Sequence, residues 1–132
     1  MQALIDLILS RLRGQDQTEV YPSFDAVPVS KKSDALFVVV TPESLQMDEP
    51  FPDGVSGAVP FAAVVKVSVL IPMTTAMETA EDYFWDVVVP RMKTISKMPF
   101  AVTPAHVDVK LGRVVMDGKF RFNGVYLEEV EG

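Results

Sequence analysis

The stretch Phe61–Ile71 constrains the fold of this chain more than any other. Two sets of residues alternate along it: Val65, Val67, Val69 and Ile71 on one side, and Val64, Lys66, Ser68 and Leu70 on the other. A period of two is that of a β-strand, so the first set predicts a fully buried sheet face and the second a mixed face. Pro72 cannot donate to a sheet ladder and is predicted to end the strand.

The residues after Pro72 change to a helical spacing. Apolar side chains recur at intervals of three and four residues: Ala80, Phe84, Val88, Met92, Ile95 and Met98. This stripe predicts a helix over residues 75–98 that lies on the sheet. Pro90 stands inside the helix and predicts a bend near Val87–Pro90, because the proline ring clashes with the carbonyl four residues earlier.

The predicted helix carries opposite charges in its two halves. Acidic residues crowd the first half and basic residues fill the second: Glu78, Glu81, Asp82 and Asp86, then Arg91, Lys93 and Lys97. Both groups suit the helix macrodipole. Four carboxylates could hold a divalent cation, but a solvated acidic face is favoured, since no second group of ligands accompanies them.

The start of the chain predicts a second helix, over residues 2–13. Its apolar residues fall on one side of the helix: Leu4, Ile5, Ile8, Leu9 and Leu12. Gly14 is well placed to end this helix in a left-handed conformation. The helix is short and lacks a broad basic face, so packing on a sheet is favoured over binding to a membrane surface.

The last third of the sequence predicts a hairpin of two strands, 106–116 and 119–129. Asp117-Gly118 is a strong two-residue turn signal between alternating apolar residues, and a type I′ turn would give Gly118 a positive φ. Asn123-Gly124 competes as the turn. Asp117-Gly118 is preferred because it leaves arms of similar length, with Asn123-Gly124 as a bulge.

Together these elements predict an α+β fold in a single domain, residues 1–132. The predicted sheet is mainly antiparallel and four-stranded, with strands at about 35–41, 61–71, 106–116 and 119–129 and the two helices packed on it. A short strand over Thr18–Tyr21 is a further option.

Composition excludes several classes of function. The net charge of −6 gives no general basic face for a phosphate backbone, which argues against nucleic-acid binding as the main activity. The absence of cysteine excludes disulfides and thiolate metal sites. The longest apolar run is interrupted by Lys66 and Ser68, so no membrane span is expected, and we expect a soluble protein.

The segment 43–60 is rich in proline, glycine and acids and shows neither regular period. It is predicted to be a long flexible loop, and two interpretations stay open: a disordered excursion or a binding arm. Apolar anchors favour the arm, and acids beside them would orient it against basic partner residues. The candidate protein-interaction residues are Met47, Asp48, Glu49, Phe51, Asp53 and Val55.

No residue pattern in the chain predicts catalysis. His106 is the only histidine, and no motif places a serine or carboxylate to work with it, so a surface or capping role is favoured. We therefore expect neither an enzyme nor a bound cofactor or metal.

Three segments of the chain resemble the tail terminator proteins of long-tailed bacteriophages, of the lambda type. They are Val69-Leu70-Ile71-Pro72 at the end of the long strand, Glu81-Asp82-Tyr83-Phe84-Trp85, and Val88-Val89-Pro90-Arg91-Met92 at the middle of the helix. Pro99 after the helix also suits the family pattern, and the order of elements is similar over nearly the whole chain.

The resemblance implies a structural protein of virus assembly. Such subunits form a hexameric ring that caps the tail tube and offers a surface to the head connector, while DNA passes through the lumen. The expected partners are copies of the same chain, tail tube protein and connector protein, in the host cytoplasm during assembly and then in the virion. The alternatives are another neck or head–tail joining protein, or a small ligand- or protein-binding module unrelated to phages.

The strand assignment makes a prediction about stability. Val67→Asp would place an unpaired charge in the middle of the buried sheet face and should lower the free energy of unfolding by several kcal/mol. Chemical denaturation measures this loss. A variant that unfolds at the parental denaturant concentration would show that this face is not buried.

Overall fold

The computed structural model of the chain describes residues 2–15, 18–24, 27, 36–47 and 58–127. Helix α1 spans Gln2–Arg13. The strands are β1 (Val20–Tyr21), β2 (Phe37–Met47), β3 (Ala58–Pro72), β4 (Ala101–Asp108) and β5 (Arg113–Leu127). Helix α2, between β3 and β4, consists of an α-helical part Met77–Tyr83, a π-helical part Phe84–Val88 and a last turn Val89–Met92.

The five strands form one mixed sheet in the order β1-β2-β3-β5-β4. Strand β3 is antiparallel to β5 along its whole length, from Ala58↔Leu127 to Pro72↔Arg113, and antiparallel to β2 on its other side. The α+β class is confirmed, but the sheet has five strands where four were predicted. The additional strand, β1, pairs in parallel with β2 through Val20 and Tyr21.

Strand β1 is short, and a polar side chain of α1 holds it in place. Arg13 donates a hydrogen bond from Nη2 to the carbonyl of Val20 over 3.0 Å. The Tyr21 hydroxyl donates to the Glu19 carboxylate, and this hydrogen bond raises the pKa of Tyr21 above its usual value. A two-residue strand is too short to be recognised by alternation, which is why the sequence offered it only as an option.

Both helices pack on one face of the sheet and bury the main core there. The alternation predicted for β3 is confirmed, since Val65, Val67, Val69 and Ile71 all lie in this core and are fully buried. Helix α1 contributes the four apolar residues Ile5, Ile8, Leu9 and Leu12. Helix α2 contributes Ala80, Phe84, Val88, Val89 and Met92.

A smaller apolar cluster covers part of the opposite sheet face. Its buried members are Val27, Phe37, Val39, Leu70 and Val115, with Tyr21 and Phe24 packed against them. Arg113 is also buried here, with its guanidinium carbon 4.5 Å from the centre of the Phe37 ring. The mixed character predicted for this face of β3 is therefore confirmed by Leu70 within the cluster and Ser68 beside polar neighbours.

The predicted hairpin turn is wrong, and so are the strand bounds 106–116 and 119–129. Residues 109–112 form the turn, with Gly112 at a φ of 64°. Asp117 and Gly118 lie inside β5, where they pair with Ser68 and Val67 of β3. Gly118 does not have positive φ. Asp-Gly favours a turn when glycine supplies the positive φ that the turn requires. At position 118 glycine is required for a different reason, which is that a side chain there would not fit.

The space at Gly118 is occupied by Phe84 of helix α2. A Cβ at position 118 would overlap the outer edge of the Phe84 ring. The same relation recurs further along β5, where a Cβ at Gly124 would lie 2.8 Å from the Phe61 ring. Each glycine lets an aromatic side chain lie directly on the sheet, so the predicted bulge at Asn123-Gly124 is replaced by regular pairing with β3.

Helix α2 ends earlier than residue 98. Its regular part stops at Met92, and Met98, which was predicted to face the core, is 49% exposed. The predicted irregularity near Pro90 takes the form of a π-helical turn, in which the Val89 N–H donates to the Phe84 carbonyl five residues earlier. A wide turn ahead of Pro90 suits a residue that has no N–H to donate.

Arg91 joins α1, α2 and the segment before β1. Its Nη1 donates to the carbonyl of Leu12 at the end of α1 and, over 2.9 Å, to the hydroxyl of Thr18. The guanidinium lies against Gly14, where a Cβ would come within 2.8 Å of its carbon. Gly14 has a φ of 57°, so the predicted left-handed end of the first helix is confirmed.

The contact between Phe84 and Gly118 predicts a specific energetic coupling. Gly118→Ala should lower the free energy of unfolding by about 1–3 kcal/mol through overpacking, and by clearly less in a Phe84→Leu background. Urea unfolding of the two single variants and the double variant measures this coupling. Gly112→Ala is the control, because it strains a positive φ in open space and should cost the same in either background. Additive energies for positions 84 and 118 would contradict the close approach.

Candidate protein-interaction surfaces

The segment predicted as a loop over 43–60 is shorter than expected. Residues 43–47 belong to β2 and residues 58–60 to β3, and they pair from Ser44↔Val64 to Met47↔Phe61. The prediction stopped the strand at Pro42, but a register shift between Pro42 and Ser44 lets it continue. At Pro42 the two-residue β1 no longer pairs with β2, so β2 has a free edge there. A bulge at such an edge tolerates proline, because no ladder hydrogen bond is required from it.

Of the six predicted interaction residues, the structure places one. Met47 lies at the end of β2 opposite Phe61 and is 45% exposed. The other five lie outside the described residues: Asp48, Glu49, Phe51, Asp53 and Val55. Their role in binding and the flexibility of the loop stay predictions.

The ends of β2, β3 and β5 form a three-stranded extension of the sheet with large exposed apolar side chains. Leu45, Met47 and Val125 are 47%, 45% and 48% exposed. By register, Leu45 pairs with Ala63 and Met47 with Phe61, so both lie on the sheet face that carries the helices. This exposed apolar strip, defined by Leu45, Met47 and Phe61, continues the core beyond the helices. Apolar side chains grouped in this way mark interaction sites more often than scattered ones.

The opposite face of the sheet is polar beside the small apolar cluster. Ser68 donates a hydrogen bond to Asp117, and Lys119 forms a 3.0 Å ion pair with Glu43. Glu43 was predicted to lie in the loop, but it belongs to β2, and its carboxylate reaches Lys119 of β5. Ser68 and Asp117 line a shallow depression of about 230 Å³, together with Lys66 and Asp108. Both signs of charge are present among these residues, so the depression offers no single charge to a ligand.

Strand β4 is an outer strand whose edge is interrupted. A register shift between Thr103 and His106 surrounds Pro104, and the Ala105 N–H donates over 2.8 Å to the Glu81 carboxylate of α2. His106 is half-buried, with Nδ1 3.0 Å from the Pro104 carbonyl. A proline and a bulge protect a sheet edge from further pairing. The expected surface or capping role of His106 agrees with this position.

The carboxylates of α2 separate into two roles. Glu81 is half-buried and accepts the hydrogen bond from β4, whereas Glu78, Asp82 and Asp86 are exposed. Trp85 lies among the exposed acids, 42% exposed and edge-to-face with Phe84 at a ring distance of 5.2 Å. We call Glu78, Asp82, Trp85 and Asp86 the acidic helix face. Within the described ranges, no three histidine or acidic side chains are grouped to hold a metal ion.

A basic groove lies beyond the end of α2, between residues 93–98 and strand β5. It has a volume of about 670 Å³. Its charged members are Lys93, Lys97 and Arg121, and its exposed apolar members are Met98 and Phe100, at 49% and 48%. The Arg121 guanidinium carbon is 4.7 Å from the centre of the Phe100 ring. No acidic residue is among the described residues that line the groove.

This groove was not predicted from the sequence, because the predicted helix extended to residue 98 and placed Met98 in the core. A signal was present in the charge pattern, since no aspartate or glutamate occurs between Asp86 and Asp108. That acid-free interval contains Lys93 and Lys97. The third cation, Arg121, comes from a different strand, and only the fold brings it to the same place.

The chain matches no model of a known protein family, and no curated protein matches it either. No helix in the part of the chain that the structure describes is long and apolar enough to cross a membrane.

The bond between Glu81 and β4 predicts how the outer edge is protected. Glu81→Ala should leave the Ala105 N–H without its acceptor, lower the free energy of unfolding by ~1–2 kcal/mol and speed hydrogen exchange at that amide. Glu81→Gln keeps an acceptor oxygen and should have a smaller effect. Exchange followed by NMR measures both. Equal protection of Ala105 in the parent and Glu81→Ala would mean that the carboxylate does not hold this edge.

Proposed function

We propose that this chain is a structural subunit of virus assembly, similar to the tail terminators that form a ring on the tail tube and present an attachment surface for the head. The observation that carries the proposal is the exposed apolar strip at the end of the long β2–β3 pair. An assembly protein works through surfaces of this kind, which are half-exposed in the subunit and become buried in the particle.

The strip is built on a rigid support. Strand β3 is hydrogen-bonded on both sides where it carries Phe61 and Ala63, so the neighbouring Leu45 and Met47 are held in a fixed arrangement. A preorganised surface loses less conformational entropy on association than a flexible one. Residues 48–57 would add to the same contact, with Phe51 and Val55 as apolar anchors and Asp48, Glu49 and Asp53 setting orientation.

Two of the three segments that carry the family resemblance occupy positions that suit a subunit of this kind. Val69-Leu70-Ile71-Pro72 ends the central strand β3, and Val88-Val89-Pro90-Arg91-Met92 covers the irregular part of α2. Both segments support the fold and leave the outer surfaces free for partners. The proposed partners are copies of this chain, tail tube protein and connector protein, with DNA in the lumen only. The chain would act in the host cytoplasm and then in the tail or neck of the virion.

The size of the native particle tests the proposal. We expect a ring of about six copies when the protein caps assembled tail tubes of the phage or prophage that carries its gene, seen by native mass measurement and electron microscopy. Leu45→Ser with Met47→Ser should reduce capping by about tenfold or more. The melting temperature should change little, because both side chains are already half-exposed in the subunit.

Met73→Ser is the matched control for this test. Met73 is 54% exposed but follows Pro72, at the end of β3 opposite the apolar strip, so its loss should leave capping at the parental level. Parental capping by the Leu45/Met47 variant would show that the strip is not the contact. Failure of the parent to associate with tubes, combined with binding to the connector instead, would favour the alternative of another neck protein.

A further inference from the structure

We propose that copies of this chain associate head to tail, with the acidic helix face of one copy bound in the basic groove of the next. This inference rests on the proposed function, since it specifies the contact between neighbouring subunits of the ring. It uses none of the side chains that define the apolar strip, although the groove extends along β5 to Asn123, next to the Gly124 on which Phe61 lies.

The charges of the two surfaces match in number and have opposite sign. The groove has three cations, Lys93, Lys97 and Arg121, and the helix face has three carboxylates, Glu78, Asp82 and Asp86. In the described part of the chain none of these six side chains forms an ion pair within the subunit. Complementary potentials of this kind orient partners and raise association rates.

The two surfaces cannot neutralise each other within one subunit. Asp86 and Lys93, the nearest members of the two sets along α2, are separated by about 10 Å, from a rise of about 1.5 Å per residue. This exceeds the Debye length of about 8 Å at physiological salt. The acidic helix face and the basic groove therefore keep opposite electrostatic potentials at the surface of one subunit. A second copy of the chain carries both surfaces, so it can bind at either of them.

Apolar side chains on the two surfaces also match. Trp85 projects among the carboxylates with 42% of its surface exposed, and the groove offers Met98 and Phe100, each about half exposed. A tryptophan at the centre of a contact and a cation over its ring are common sources of binding energy. A groove of about 670 Å³ has room for such a side chain with its neighbours.

Because the contact joins two different surfaces, it leads to an assembly of more than two copies. After one contact forms, the first copy still has a free groove and the second a free helix face, so association continues beyond two copies. A head-to-tail contact closes into a ring if the rotation between copies allows it. This geometry agrees with a ring and predicts no dimeric end point.

The only tryptophan of the chain, Trp85, reports the contact directly. We expect its emission to shift to shorter wavelength as protein concentration rises, together with an increase in native mass. Raising the salt concentration from about 0.05 to 0.5 M should weaken the association about tenfold or more, because exposed charges are screened.

Charge reversal supplies the decisive test. One variant carries Lys93→Glu and Lys97→Glu, and a second carries Asp82→Lys and Asp86→Lys. Each alone should associate about 100-fold more weakly than the parent, because like charges then meet at every contact. An equimolar mixture should associate again, since each groove now meets a helix face of opposite charge, and the two variants should alternate in the assembly.

The control reverses a charge at a residue that belongs to neither surface. Lys110→Glu alters an exposed residue of the β4–β5 turn and should associate like the parent. Circular dichroism melting of every variant separates loss of association from loss of folding. Restoration by mixing is also independent of folding defects, because misfolded subunits would not recover.

Several outcomes would overturn the inference. They are parental association by both reversed variants, failure of the mixture to associate, growth that stops at two copies, or salt-sensitive binding of duplex DNA in the groove without self-association. If the charge variants still form rings on tail tubes, this contact is wrong while the proposed function stands. If the mixture restores a ring that does not bind tubes, the contact stands and the proposed function fails.

Discussion

The fold depends on the pairing of β3 on both sides while one of its faces is completely apolar. β5 and β2 satisfy its backbone groups, so the strand can be buried without unpaired donors. Val65, Val67, Val69 and Ile71 then form a flat apolar surface on which both helices lie. The strands on either side of β3 depend on it for their positions, including the outer strand β4, which within the sheet pairs with β5 alone.

Helix α2 contacts the sheet through an aromatic side chain that lies over a glycine. Phe84 lies directly on Gly118, next to Phe120 at a ring distance of 6.4 Å. The π-helical turn that begins at Phe84 and the proline after it belong to the same region. One aromatic contact thus connects the irregular part of α2 to the centre of the sheet, and Arg91, about two turns later, connects α2 to α1.

Two kinds of surface remain after this core has formed. The apolar strip at the end of β2 and β3 extends the core face past the helices, and α2 carries acids at one end and the border of a basic groove at the other. The net charge does not reveal this separation, because a chain of charge −6 still has a groove whose lining, in the part of the chain that the structure describes, includes basic and no acidic side chains. Association through such surfaces needs no cavity for a small ligand.

The sequence by itself determined the elements whose pattern is local. Three features were predictable in this way: the alternation along β3, the helical stripe through Met92, and Gly14 after α1. Each reflects a period or a backbone preference of adjacent residues. The tertiary structure decided what depended on distant partners. Asp117-Gly118 became strand instead of turn because Phe84 needs the space, Pro42 stayed in β2 because a bulge accommodates it, and Arg121 joined Lys93 only through the packing of β5 beside α2.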